Sequence, residues 1–213
     1  MKRPFGVFAV AALLLILISP SFAQSLKGTY VGGGSGSGLF AFCGFNDNGI
    51  PNGASNGVYQ TLMTNTEQRW DFNPDGSGSL QAIIRVISLA NTVFPIIPGT
   101  DAIRFPWVGE NEVTAKFTYK LEPKSGKLDI TVTETTQEWT AGPLLGTTGS
   151  LEAPFAIGSG IVSQDRQSIK FDRSNQPRTL DLTFPFCTGL KAQIAEQLST
   201  ILLRQQAAPQ LVQ

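Results

Sequence analysis

EVTAKFTYKLEPKSGKLDITVTETTQEW, residues 112 to 139, alternates apolar and polar side chains on both sides of a Pro-Lys-Ser-Gly turn. Val113, Ala115, Phe117, Tyr119 and Leu121 fall between Glu112, Thr114, Lys116, Thr118, Lys120 and Glu122. A period of two puts these sets on opposite faces of a strand, one for a core and one for water. Beyond the turn at 123–126, Leu128, Ile130 and Val132 alternate with Asp129, Thr131 and Thr133, so the stretch reads as a β-hairpin. The inward register continues to Glu134, where a buried carboxylate would need a partner or a raised pKa. A bulge, or the wet end of the strand, would instead return Glu134 to solvent.

The same period extends to both sides. TEQRWDF (66–72) carries Trp70 and Phe72 in one register, NPDG (73–76) supplies a turn, and LQAIIRVISL (80–89) follows with Leu80, Ala82, Ile84 and Val86 inward. Ile83, Ile87 and Leu89 make the opposite face of that last strand apolar as well. Further strands are expected near 28–33, 38–45, 57–64, 153–163, 167–173 and 179–186, with Pro185 at a strand end, edge or bulge. The expected fold is all-β: an antiparallel up-and-down β-barrel of about 8–10 strands in one domain, residues 24–187.

Two loops invite chemical readings and decline them. GGGSGSG (32–38) offers no register with glycines at i, i+2 and i+5, and after Gly38 come Leu39 and Phe40 where a phosphate loop needs Lys and Ser or Thr. It reads as a tight connection or a kinked strand whose missing Cβ atoms permit strong coiling. FNDNGIPNGASNG (45–57) has calcium-loop composition. In the register that would place the turn glycine at Gly49, however, the first ligand position is Gly44 and the twelfth is Ser55.

The first 23 residues pair Lys2 and Arg3 with an apolar run from Phe5 to Ile18 and end in Ser21-Phe22-Ala23. This is the pattern of a secretory signal peptide cleaved after Ala23, and it predicts a secreted or periplasmic protein. Without Lys2 and Arg3, 14 basic residues face 16 acidic ones, a balance that argues against a nucleic-acid partner. No later apolar run is long enough for a membrane span. Cys43 and Cys187 are the only cysteines, and in an oxidising compartment they are expected to form one disulfide. The chain has no histidine, which removes Ser-His-Asp and Cys-His catalysis and His-ligated metals. No cofactor and no metal are expected, and no catalytic residue is assigned.

After Cys187, the residues Leu190, Ile194, Leu198, Ile201 and Leu202 recur at three- and four-residue spacing behind Thr188 as an N-cap. An amphipathic helix over 188–205 is expected, packed on the barrel's outer wall against Ile83, Ile87 and Leu89, with a loose tail at 206–213.

Alternating strands, short hairpins, Gly28-Thr29-Tyr30 on the first strand, a helix after the last strand and a terminal disulfide together resemble the calycin superfamily, lipocalins especially. Lipocalins open with Gly-x-Trp, and here Tyr30 stands where the Trp would be. The resemblance implies a barrel holding a small hydrophobic molecule. Two alternatives stand beside it: a secreted barrel enzyme of cyclase or isomerase type, similar to allene oxide cyclase or dirigent proteins, and a packed structural barrel without ligand. The inward sets are almost wholly apolar, which favours binding. Trp70, Phe72, Ile84, Phe117, Tyr119 and Glu134 are the interior candidates.

In an up-and-down barrel the turns at 73–76, 123–126 and 164–167 share one end, and the long connections at 90–111 and 140–152 share the other. Phe94, Ile96, Ile97, Phe105, Trp107, Leu144 and Leu145 would give that second end an apolar mouth, or plug it.

Overall fold

The structure, a computed structural model, describes residues 25–52, 59–90, 106–142, 144–173, 177–183, 187 and 189–206. Ten strands follow one another: β1 (Gly28–Ala41), β2 (Tyr59–Phe72), β3 (Ser77–Ala90), β4 (Trp107–Leu121), β5 (Lys127–Ala141), β6 (Thr148–Gly149), β7 (Phe155–Val162), β8 (Ser168–Arg173), β9 (Arg178–Thr183) and β10 (Lys191–Arg204). All pairings are antiparallel, and a β1–β10 ladder closes the ring β1-β2-β3-β4-β5-β7-β8-β10. The short strands extend this ring rather than widen it. β7 pairs with residues 127–132 of β5 and β6 with Gln137 and Glu138 further along, while β8 pairs with 199–203 of β10 and β9 with its first residues. The result is an eight-strand meander with two of its staves broken in the middle.

Alternation sets the inward face as the sequence predicts from Ala115 to Val132. Ala115, Phe117, Tyr119, Leu128, Ile130 and Val132 are buried. The expected 28–33 and 38–45 segments are one strand, β1, running straight through the glycines. Adding a Cβ at Gly32, Gly34, Gly36 or Gly38 would bring it within 2.0 to 2.5 Å of a β10 carbonyl oxygen. The GGGSGSG stretch is therefore a strand coiled so tightly against its neighbour that side chains do not fit, which is what closes the barrel.

Glu134 is not an interior residue. Lys116 lies opposite Glu134 and Phe117 opposite Val132, so Thr133 is an extra residue that bulges β5 and reverses its facing. Glu134 is exposed and takes a hydrogen bond from Lys116 Nζ at 2.8 Å, and Thr135 is buried in its place.

The expected C-terminal helix is also corrected. Residues 191–204 form β10, with Ala192, Glu196, Leu198, Thr200 and Leu202 buried, and no helix occurs among the described residues. The spacing of four that links Leu190, Ile194, Leu198 and Leu202 fits both a helix and a strand, since four is a multiple of two. Only Ile201 distinguishes them, and it is 56% exposed. With 191–204 built into the wall, no helix among the described residues covers the outer face of β3, where Ile87 and Leu89 are exposed.

Cys43 and Cys187 form the expected disulfide, with 5.1 Å between their Cα atoms. It ties the segment after β1 to the segment before β10, two strands that already pair. Closing a loop of 144 residues restricts the unfolded chain by about 5 kcal/mol on the chain-entropy model.

Candidate functional site

Eight strands enclose an interior that side chains can just fill or that can hold one small ligand. This barrel is filled at one end and hollow at the other. The end carrying the turns at 73–76, 122–126 and 163–167 is solid. Trp70 packs against Phe72, Phe117 and Phe171 with ring centroids 5.2 to 6.1 Å apart, and Tyr30 and Tyr119 meet Phe72 edge-on. Leu26 is buried in the same cluster, ahead of β1. The phenols have partners: Tyr30 donates to Arg166 O at 2.8 Å, and the Tyr119 hydroxyl lies 2.7 Å from Leu26 O and 2.6 Å from Asn73 O. Burial pushes both phenols above their ordinary pKa, which keeps them protonated as donors.

The other half holds a cavity of about 260 Å³. Its walls are largely apolar, with Leu62, Ile84, Val86, Val113, Phe155 and Ile157 among them. An apolar cavity of roughly 150 Å³ is large enough for benzene, so this volume is the size of about two fused rings.

Inward-facing polar residues interrupt these walls at a few points. Trp70 Nε1 donates to Gln68 Oε1 at 2.9 Å, and Gln68 Nε2 donates to Thr66 Oγ1 at 2.6 Å and reaches Thr200 Oγ1 at 3.4 Å. This buried network caps the aromatic cluster on its cavity side. Higher on the same wall, Glu196 accepts from Thr64 Oγ1 at 3.0 Å and from Arg178 Nη2 at 2.9 Å. The Arg178 and Glu196 side chains are only 14% and 9% exposed, and the guanidinium stands 5.8 Å from the centroid of the Phe155 ring. On β4, Asn111 is 5% exposed, lines the cavity, and has an Oδ1 that meets no donor.

Two indoles stand at the cavity margin. Trp107 and Trp139 meet edge-to-face at 5.4 Å, and a Cβ on Gly109 would lie 2.8 Å from one ring and 2.9 Å from the other. Gly109 thus lets both rings converge over the site. Behind them, the rim carries Lys191 in contact with Glu152 and Asp181, which hold its ammonium above the usual lysine range.

The predicted residues divide accordingly. Trp70, Phe72, Phe117 and Tyr119 belong to the aromatic cluster of the solid end, whereas Ile84 lines the cavity. Trp107 and Leu144 line it too, and Leu145 is 69% exposed. Phe94, Ile96, Ile97 and Phe105 lie outside the described residues. β3 and β5 run the same way, so both end at the cavity end of the barrel. The polar set Thr64, Gln68, Asn111, Arg178 and Glu196 was missed. Its signal was in the text: Gln60, Leu62, Thr64, Thr66, Gln68 and Trp70 share one register, so polar residues stand in phase with a core tryptophan.

A second hollow, over Gly32–Gly34, Asn65 and Ser199, is an open groove on the outer wall. Among the described residues, no group of three or more His, Cys, Asp or Glu side chains is placed to hold a metal ion. No protein-family model matches the chain, and no curated protein matches it.

Proposed function

We propose that the protein is an exported, calycin-like binding barrel that holds one small hydrophobic molecule in the half of its interior away from the 73–76 turn. The observation that carries this reading is the cavity of about 260 Å³, walled by apolar side chains, in a barrel whose other half is packed solid. A barrel serving only as a structural scaffold gains from filling its whole interior, since an unfilled apolar cavity costs stability in proportion to its volume. Three further features support the reading. The Cys43–Cys187 disulfide suits an oxidising, extracellular or periplasmic setting. Lys116, Lys120, Asp129 and Glu67 are on outward faces, which suits a barrel in water and is the reverse of a lipid-facing one. Gln68, which lines the cavity, is held by Thr66 and Thr200, so this part of the wall is shaped before any ligand arrives.

The test is native mass spectrometry on protein purified from its own source, beside the cavity-filling variant Val86→Phe. A small mass that accompanies the unaltered chain and is lost in the variant is the expected result. A chain that is unladen in both forms, and that takes up no apolar probe, would refute the reading.

A further inference from the structure

We infer that the molecule held in the cavity is neutral and carries a carbonyl oxygen, which accepts a hydrogen bond from the Arg178 guanidinium. This rests on the binding reading above and narrows it to a class of ligand. Arg178 opens β9 in the same register as buried Leu180, and Ile194 of β10 lies opposite it in the ladder. All three line the cavity, and the Arg178 side chain keeps 14% of its surface open, so a molecule inside can touch it. A guanidinium carries five N–H groups, all of them donors. Among the described residues, Arg178 gives one of these, on Nη2, to Glu196 Oε2 at 2.9 Å. The Phe155 ring, 5.8 Å away, adds a cation–π attraction but no acceptor. Glu196, by contrast, has both oxygens engaged, Oε2 by Arg178 and Oε1 by the Thr64 hydroxyl at 3.0 Å. What this pair has left to offer is a donor, so the group that completes it is an acceptor.

Charge decides which acceptor. The charged side chains lining the cavity, among the described residues, are Arg178, Glu196 and Asp181. Arg178 and Glu196 neutralise each other, and Asp181 pairs with Lys191 at 3.2 Å. A carboxylate set against Arg178 would be repelled by Glu196 beside it, and would bring an uncompensated charge into an apolar enclosure. An ammonium would meet the guanidinium instead. A carbonyl takes a charge-assisted hydrogen bond and adds no charge. In the ring, β9 continues the place of β8 beside β10, four strands from β3, so Ile84 and Val86 stand on the wall opposite Arg178. The carbonyl of the ligand is thus held on the β9 side, with its apolar body toward β3.

Three probes of one shape test the inference on the full chain by equilibrium dialysis near neutral pH: 2-acetylnaphthalene, 2-isopropenylnaphthalene and 2-naphthoate. The ketone oxygen of the first is a methylene in the second, and the third carries a charged carboxylate in its place. The expected order places the ketone about tenfold tighter than the alkene, the scale of one hydrogen bond from a charged donor, with 2-naphthoate weakest. Arg178→Met combined with Glu196→Leu removes the pair without leaving a lone charge, and should bring the ketone to the level of the alkene. Glu196→Gln removes the negative charge alone, and should make 2-naphthoate the tightest of the three. In the unaltered protein, the isotope-edited C=O stretch of the bound ketone should fall below its value in an alkane, a readout independent of how any variant folds. Equal binding of ketone and alkene, with both excluded by Val86→Phe, would overturn the carbonyl assignment and leave the binding reading standing. So would an unshifted C=O stretch, or a ketone preference that survives in the double variant. Tightest binding of 2-naphthoate to the unaltered chain, or weakest binding to Glu196→Gln, would overturn the assignment of neutrality. If none of the three binds, the binding reading itself falls and takes the inference with it.

Discussion

The two ends of the barrel are built from the same strands yet solve different problems. Along β2, Trp70 and Phe72 face inward at one end, while Gln60, Leu62 and Thr64 face inward at the other. The first pair disappears into an aromatic cluster, and the second set lines the cavity, with Thr64 bonded past β1 to Glu196 on the same wall. Rings of this size fill the interior of an eight-stranded barrel, whereas aliphatic side chains and small polar groups leave space between opposite walls. Stability is therefore concentrated at the turn-rich end, which frees the other end to keep an unfilled volume.

The largest test of this contrast is Trp70→Ala. It should cost about 3–5 kcal/mol in chemical denaturation, because it opens a hole in the packed cluster. Ile84→Ala, on the partly exposed cavity wall, should cost under about 2 kcal/mol, since the space beside it is already open. Equal costs would mean that the halves are not energetically distinct.

Next comes the buried Arg178–Glu196 ion pair of the cavity wall. Arg178→Met should cost about 3 kcal/mol by leaving Glu196 buried without its cation, and adding Glu196→Leu should recover most of the loss. A double variant no more stable than the single would show that packing, and not charge, is what Arg178 contributes.

Gly36→Ala probes the seam that closes the ring. Its Cβ would lie 2.2 Å from Gln197 O, so β1 and β10 must separate locally, at a cost of about 1–3 kcal/mol. Thermal melting of this variant beside Ser35→Ala, whose parent side chain faces out, separates the steric effect from a general sensitivity of β1.

The two ends also differ in the pH at which they loosen. Ser77 holds the Asp75 carboxyl below the usual range through its hydroxyl and its backbone N–H, and Ser163 and the Gln167 N–H do the same for Asp165. A depressed carboxyl contributes stability above its ordinary pKa and loses it as pH falls through the folded value. Lys191, raised by Glu152 and then Asp181, contributes below the ordinary lysine pKa and loses its contribution as pH rises through the folded value. Asp75→Ala should thus lower the melting temperature at pH 6 and matter less as pH falls below the ordinary carboxylate range, and Lys191→Met should matter at pH 8 and lose its effect only as pH rises beyond the ordinary lysine range. A pH-independent effect in either variant would show that its charge is not what counts.

The smallest effect belongs to Glu134→Gln, at under about 0.5 kcal/mol, because its pair with Lys116 is exposed on both sides. A loss above 2 kcal/mol would contradict the outward placement set by the β5 bulge.

How much of this was legible follows from what alternation can carry. Val113 to Leu121 and Leu128 to Val132 announce their faces because nothing interrupts the period. Thr133 interrupts it without any local sign, since Thr-Glu-Thr-Thr suits a regular strand and a bulged one equally well, and so alternation alone leaves Glu134 open between core and solvent. At the C-terminus the ambiguity was arithmetic. Leu190, Ile194, Leu198 and Leu202 satisfy both periods, and a partner was needed to choose between them. That partner is β1, whose glycines at 32, 34, 36 and 38 have no stable place unless another backbone lies against them. The cavity residues were hidden for a related reason. Thr64 and Gln68 are each 132 residues from their partners Glu196 and Thr200 in the chain, and polar side chains in an inward register look like errors of register until the strand on the far side of β1 is known.

Alternating patterns, turn-forming residues and two cysteines were enough to dictate an antiparallel meander, its inward faces and its single disulfide, because each is set by neighbours in the chain or by the absence of any competing partner. Ring closure by β10, the outward turn of Glu134 and the division into a solid and a hollow half arise from contacts between distant strands, whose energies depend on which side chains meet across the barrel, and no local pattern in the sequence records that.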